Sequence, residues 1–351
     1  MIAIRSSRMA MTAGAGRRPG RAPCACLMFL GVILNAIPGV GGQAEPSANS
    51  KDGRWALLIA GISGDRELQL EFIDEVKNLH ALLSSEMQLP SDHIEALVDD
   101  PSLVPGLAAR KSTAENLMDA CRRIGRRATR DDSVFVFIAG HGSYEGKTYK
   151  LNLVGPDLTA DDLATYLYSI PARTFIVVNT TTCSGGSMES LVQPGRVVAT
   201  ATKSGHEKNR TYFGHYFVEA FQNHNADTDK NGRISMLEAF GYADQKVKER
   251  YAGEGLLQTE HPTLNDSSDG LLARTAYLDA GKGIADGRPL SAEERRLMEE
   301  SDDLERQIES LKQQKAGMPE EEYDRKLESL LLKLAEISAK RGQKSSQEPD
   351  F

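Results

Sequence analysis

Five short, almost wholly apolar runs set the strongest constraint on this chain's fold. They are Trp55–Ala60, His93–Val98, Ser133–Ile138, Thr174–Val178 and Arg196–Thr202. A half-exposed strand alternates apolar and polar residues, so continuous runs of this length read as strands buried on both faces. Between them lie helical patterns. Leu68, Phe72, Val76, Leu79 and Leu83 recur at helical spacing. Ser112–Glu115 is a capping-box start for a helix carrying Leu117, Cys121 and Ile124 on one face. Thr159–Asp162 opens a third helix, and 212–224 and 235–250 read as two more. Strands alternating with helices predict an α/β/α sandwich in three layers around a mainly parallel sheet. In such folds ligands and chemistry sit beyond the carboxyl ends of the strands.

Charge is distributed unevenly. Residues 1–44 hold five of the 42 Lys and Arg residues and none of the 50 acidic ones, so the remainder stands at −13 against −8 for the whole. That segment runs from Arg5, Arg8, Arg17, Arg18 and Arg21 into apolar 24–34 and then small residues to Ala44. This is the layout of a secretory signal peptide, 1–44, and it predicts an exported protein, periplasmic or secreted. The apolar run is short for a membrane helix, so no stable span is expected after processing; an uncleaved anchor is the alternative. An acidic body argues against a nucleic-acid partner. Four cysteines among 351 residues exclude a disulfide-built scaffold.

Two strand ends carry matching chemistry. Ala139-Gly140-His141-Gly142 follows the third run, and Asn179-Thr-Thr-Thr-Cys183-Ser184-Gly185-Gly186-Ser187-Met188 follows the fourth. A thiol beside an imidazole is a nucleophile with its base. No histidine pair has the spacing of a zinc hydrolase motif.

Strand–His-Gly followed by strand–Cys-Ser-Gly-Gly-Ser-Met, in this order, resembles the legumain-like cysteine peptidases, relatives of caspases, metacaspases and gingipains. The resemblance covers about residues 54–275. It implies a caspase-like fold, with Cys183 as nucleophile, His141 as general base and acid, and the amides of Gly142 and Cys183 as oxyanion hole, acting on protein or peptide substrates. Many relatives have an acidic or amide residue just before the cysteine, where this chain has Thr181 and Thr182. Arg66, after the first strand, and Ser204, after the last, occupy places expected to meet substrate. A catalytically silent binding protein of the same fold is the rival reading.

Asp227-Thr-Asp229-Lys-Asn231-Gly232-Arg233-Ile234-Ser235-Met-Leu-Glu238 matches the twelve-residue EF-hand loop at each ligand position. Asp227, Asp229, Asn231, Arg233 (through its carbonyl), Ser235 and Glu238 are the expected ligands. A single loop suggests one structural Ca²⁺ rather than a switch.

The remaining organisation follows from composition. Residues 45–53 form a flexible lead-in, 276–290 a linker rich in Gly and Asp, and 342–351 a polar, disordered tail. Within 291–341, Leu297, Leu304, Leu311 and Met318 recur every seven residues. Pro319 then restarts a helix with Tyr323, Leu327, Leu330, Leu331, Leu334 and Ile337. The pattern predicts a C-terminal α-helical hairpin that packs on itself, on the body, or on a second copy.

Overall fold

The computed structural model describes residues 52–222, 224–267, 270–279 and 291–345. The expected signal peptide, most of the lead-in, residues 280–290 of the linker and 346–351 of the tail lie outside the described residues.

Ten strands are described: β1 (Arg54–Ala60), β2 (Ile94–Val98), β3 (Ala109–Lys111), β4 (Ser133–Ala139), β5 (Gly142–Glu145), β6 (Thr148–Leu151), β7 (Leu158–Thr159), β8 (Thr174–Asn179), β9 (Arg196–Thr200) and β10 (Thr263–Asn265). The main sheet has the order β10-β9-β8-β4-β1-β2-β3. Its neighbours are parallel except for β10, which closes the β9 edge antiparallel. The second sheet, β5-β6-β7, is a small antiparallel meander hanging off the end of β4.

The helices are α1 (Arg66–Ala81), α2 (Ala114–Arg127), α3 (Ala160–Tyr168), α4 (Met188–Leu191), α5 (Phe213–Ala220), α6 (Met236–Gly253), α7 (Leu271–Thr275), α8 (Ala292–Gln313) and α9 (Glu320–Ser345). Alternate residues of one strand enter opposite cores. Ala56, Leu58 and Ala60 of β1 join Phe135 and Phe137 of β4 beneath α1, α5 and α6. Trp55, Leu57 and Ile59 join Val134, Val136 and Ile138 beneath α2 and α3. This two-sided burial is why the strands read as continuous apolar runs. The chain thus forms a three-layer α/β/α sandwich with a mainly parallel sheet, and a helical hairpin follows it.

Local signals set the helix starts. Asp65 caps α1 by accepting from the amides of Glu67 and Leu68, and Thr113 and Thr159 cap α2 and α3. Strands β3, β5, β6, β7 and β10 escaped the sequence reading. They are two to four residues long, too short to show a period.

The hairpin closes on itself and is joined to the body by the pair of Arg233 with Asp302 of α8. Leu297, Leu304 and Ile337 bury against Leu330 and Leu334. Residues 276–278, expected to begin a linker, pack on the body: Ala276 O accepts from Met236 N at 2.9 Å, and Leu278 O accepts from Arg54 Nη1 at 2.8 Å. Helix α9 runs to Ser345, past the boundary expected at 341. No helix among the described residues is long and apolar enough to cross a membrane.

Candidate active site

Strands β4 and β8 are parallel neighbours, with Ile138 opposite Asn179. Their carboxyl ends therefore release His141 and Thr180–Cys183 at the same rim. One side chain ties the two loops together. Thr182 Oγ1 accepts from Gly142 N at 3.0 Å and donates to Gly142 O at 2.9 Å. Only glycine fits at 142, because a Cβ there would lie 2.9 Å from Thr181 Oγ1 and closer still to the Thr182 carbonyl.

Cys183 stands in the left-handed region (φ 60°) at the head of a 3₁₀ turn, Ser184–Ser187. A non-glycine residue there carries strain that its surroundings must hold. A buried polar network holds it. Tyr149 Oη meets Thr181 Oγ1 at 2.7 Å and accepts from Asn179 Nδ2 at 3.1 Å. Asn179 Nδ2 also donates to Ser187 Oγ (3.0 Å), and Ser187 Oγ donates to the Ser184 carbonyl (2.7 Å). Thr181 and Thr182, which depart from the acidic or amide pattern, thus serve to position the cysteine loop. Tyr149 carries no signal in the sequence, whereas Asn179, the last strand residue before the cysteine, and Ser187, inside the Cys-Ser-Gly-Gly-Ser-Met run, stand in the motif itself.

Cys183 is 2% exposed and His141 is half-buried, with its ring edge-on to Phe72 at 5.4 Å. Burial pushes the Cys183 thiol up, while the charge of Lys208 and a hydrogen bond from Thr182 pull it down; the net direction is upward. Burial lowers the pKa of His141. Both shifts favour a neutral thiol and a neutral imidazole over a preformed ion pair. The two groups share no hydrogen bond in this conformation.

The amides expected to form an oxyanion hole are both engaged. Cys183 N donates to the Glu207 carbonyl at 2.8 Å, and Gly142 N to Thr182 Oγ1. Ser204 lies on the same 203–207 segment, which folds back over the 3₁₀ turn so closely that a Cβ on Gly185 would collide with Ser204 N. Ser204 Oγ accepts from His206 N within that turn. Arg66 opens α1, exposed, with Nη1 donating to Gln69 Oε1 on its own helix at 2.6 Å. Cys121 is buried on α2 in the core, as expected, and neither described cysteine is in a disulfide.

At the other expected site, carboxylate oxygens of Asp227, Asp229 and Glu238 come within 4.8 Å of one another. Asn231 Nδ2 donates to Asp229 Oδ2 and to Tyr277 Oη. Glu238 and Ser235 form the capping box of α6, so Glu238 serves the loop and the helix start together. Burial, then the nearby Glu238 and Asp227, raise the pKa of Asp229, opposed by the Asn231 amide. Carboxylates held this way gain from a cation among them.

Residues 120–262, which include His141 and Cys183, match the family model described as the Peptidase C13 family. That match supports a cysteine peptidase. No curated protein matches. Among solved structures, the chain is similar to protein GSU0716 from Geobacter sulfurreducens, at 10% identity and a TM-score of 0.40, over 60% of this chain and 92% of that one. It is also similar to drICE, at 15% identity and a TM-score of 0.33, over 61% and 87% of the two chains.

Proposed function

We propose that this protein is an exported, legumain-like cysteine endopeptidase of caspase-like fold, with Cys183 and His141 as its dyad. The observation that carries the reading is the pair of adjacent parallel strand ends, tied by Thr182, that release these two residues at one rim of the matched segment. His141 takes the thiol proton as Cys183 Sγ attacks a peptide carbonyl, then gives that proton to the leaving amine. Water, deprotonated by His141, cleaves the thioester and restores the thiol. The Gly142 and Cys183 amides would hold the oxyanion once Thr182 and the Glu207 carbonyl release them. Arg66 and Ser204 are proposed to meet the substrate at the rim.

A silent member of the fold, used for binding, is the second reading. The engaged amides and the buried, neutral thiol favour it. Labelling decides between them. A thiol-directed electrophile is expected to modify Cys183 with a rate that climbs into alkaline pH and shows no plateau near neutrality. Cys121, whose thiol burial pushes up to about 12, is expected to stay unmodified. If Cys183 takes no label and no peptide in a library is cut with calcium and a reductant present, the enzyme reading fails.

The loop 227–238 is proposed to bind one structural Ca²⁺ through Asp227, Asp229, Asn231, the Arg233 carbonyl, Ser235 and Glu238. Calorimetry is expected to give one site in the intact protein and none in Asp227→Ala. Equal heats from both would refute the site. The hairpin is a proposed surface for self-association.

A further inference from the structure

We propose that Glu207 and His261 are positioning residues that form a latch: they hold segment 203–207 over the cysteine loop and so set how readily a peptide carbonyl reaches the Cys183 amide. The proposal rests on the peptidase reading and adds a regulation of the same site.

The Glu207 carbonyl accepts from Cys183 N at 2.8 Å. A backbone amide has one proton to donate, so this carbonyl occupies the place that a substrate oxygen would take. Substrate and segment 203–207 therefore compete for one donor.

The side chain of the same residue anchors the segment. The Glu207 carboxylate is 12% exposed. Its Oε1 accepts from His261 Nδ1 at 2.6 Å and lies 3.5 Å from Lys203 Nζ. Its Oε2 accepts from Lys203 N at 3.0 Å and from His261 N at 3.1 Å. His206, Lys208 and Asn209 around it are exposed. Glu207 is thus the held residue of a solvated stretch. His261 lies at the sheet end of the contact, since Thr263, two residues on, pairs with Thr200 of β9. One half of the latch is fixed to a strand edge and the other half rides on a loop.

Little else fastens the segment. Thr202, just past β9, donates through Oγ1 to the Ser204 carbonyl at 3.1 Å and fixes its root. Beyond the root the seam is made of glycines and one ring. Tyr144 lies against Gly186 and Gly205, where a Cβ would stand 2.7 Å and 2.3 Å from its ring atoms. The same ring meets His206 edge-on at 5.3 Å. Lys203 and His206 put their side chains into solvent. Such a seam closes tightly but interlocks no apolar side chains, so the charge-assisted bonds of Glu207 carry its hold. A site that is open only part of the time binds more weakly in proportion to that fraction. Loosening the latch therefore strengthens apparent peptide binding and leaves the steps after opening as they were.

The test compares two full-length variants that leave segment 203–207 and Cys183 intact. His261→Ala removes the side-chain anchor. His261→Asn keeps an amide nitrogen near the place of Nδ1. Hydrogen exchange at the Cys183 amide reports the latch without any turnover. It is expected to run about fivefold faster in His261→Ala and at the parental rate in His261→Asn. With the best-cut peptide of a library, KM is expected to fall about fivefold in His261→Ala at unchanged kcat, and to return in His261→Asn. A residue that merely supported the fold would raise KM or lower kcat when removed, and either result overturns the latch. So does Cys183 exchange that is the same in all three proteins, or a His261→Asn protein that behaves like His261→Ala. Failure of the peptidase reading has a different signature: no protein cuts a peptide or takes label at Cys183, while the exchange difference between the variants persists.

Discussion

Replacing Arg233 by alanine is expected to destabilise the protein by about 3 kcal/mol and to release the C-terminal hairpin first. Its side chain is 5% exposed and sits between Asp279, at 2.6 Å, and Asp302 of α8, at 2.5 Å. The guanidinium also stacks on Tyr277 at 3.7 Å. Burial alone would weaken its charge, but the two aspartates hold it well above the usual arginine range. Truncation leaves two carboxylates facing each other beneath a lost ring contact. Urea denaturation gives the stability, and hydrogen exchange across 292–345 reports hairpin release. The charge-free combination Arg233→Met, Asp279→Leu, Asp302→Leu is expected to recover most of the loss, since a buried ion cluster and a packed apolar one are often equivalent. A single variant as stable as the parent would show that the cluster does not hold the hairpin.

Raising the pH from 5 to 8.5 is expected to cost on the order of 6 kcal/mol of stability through two buried acids. Glu75 rises from 4.5 to about 8, by burial and then by Glu71 and Glu260. Glu260, fully buried, rises to about 7, again by burial first. The amides of Tyr212 and Phe213 oppose that rise, and Glu207 adds to it. In both cases the folded state binds the proton more tightly than the unfolded chain. The stabilisation is therefore complete below about 4.5 and is lost as pH climbs through 7 and 8. Denaturation midpoints at pH 5 and 8.5 measure it, and Glu75→Gln is expected to flatten the profile in proportion to its share. Stability that is level or rising over that interval would mean that the two acids ionise freely.

The same pair shows where reading along the chain stops. Glu75 looks like any exposed glutamate of an amphipathic helix, and Glu260 like a loop residue. Nothing in their neighbours 74 and 76, or 259 and 261, marks them as buried. Their burial arises because α1 lies against Gly214 and because the segment before β10 folds back under Tyr212 and Phe213. The Arg233 cluster is similar. Arg233 is legible as position 7 of the proposed calcium loop, where a carbonyl is the expected ligand. That its side chain would meet Asp302, 69 residues on, is set by the docking of α8.

The site itself divides the same way. His141 and Cys183 stand out because each directly follows a strongly apolar strand, and strand ends are local. The groups that hold them do not. Tyr149 lies on a strand four residues long, and Glu207 reaches Cys183 through a backbone carbonyl, which no side-chain pattern reveals. The exchange between Thr182 and Gly142 depends on β4 and β8 being neighbours.

What the amino-acid order determined by itself was the layered α/β architecture, the hairpin, and the placement of His141 and Cys183 at two strand ends and of three carboxylates in one acidic loop. Each depends on hydrophobic period, capping or ligand spacing over a dozen residues or fewer, and such signals are complete within a segment. Tertiary structure alone decided that both expected oxyanion amides are engaged, that a carboxyl on α1 is buried without a partner, and that the hairpin is clamped to the acidic loop. These are contacts between segments 24 to 139 residues apart in sequence, and their energies depend on desolvation, which exists only once the layers have closed.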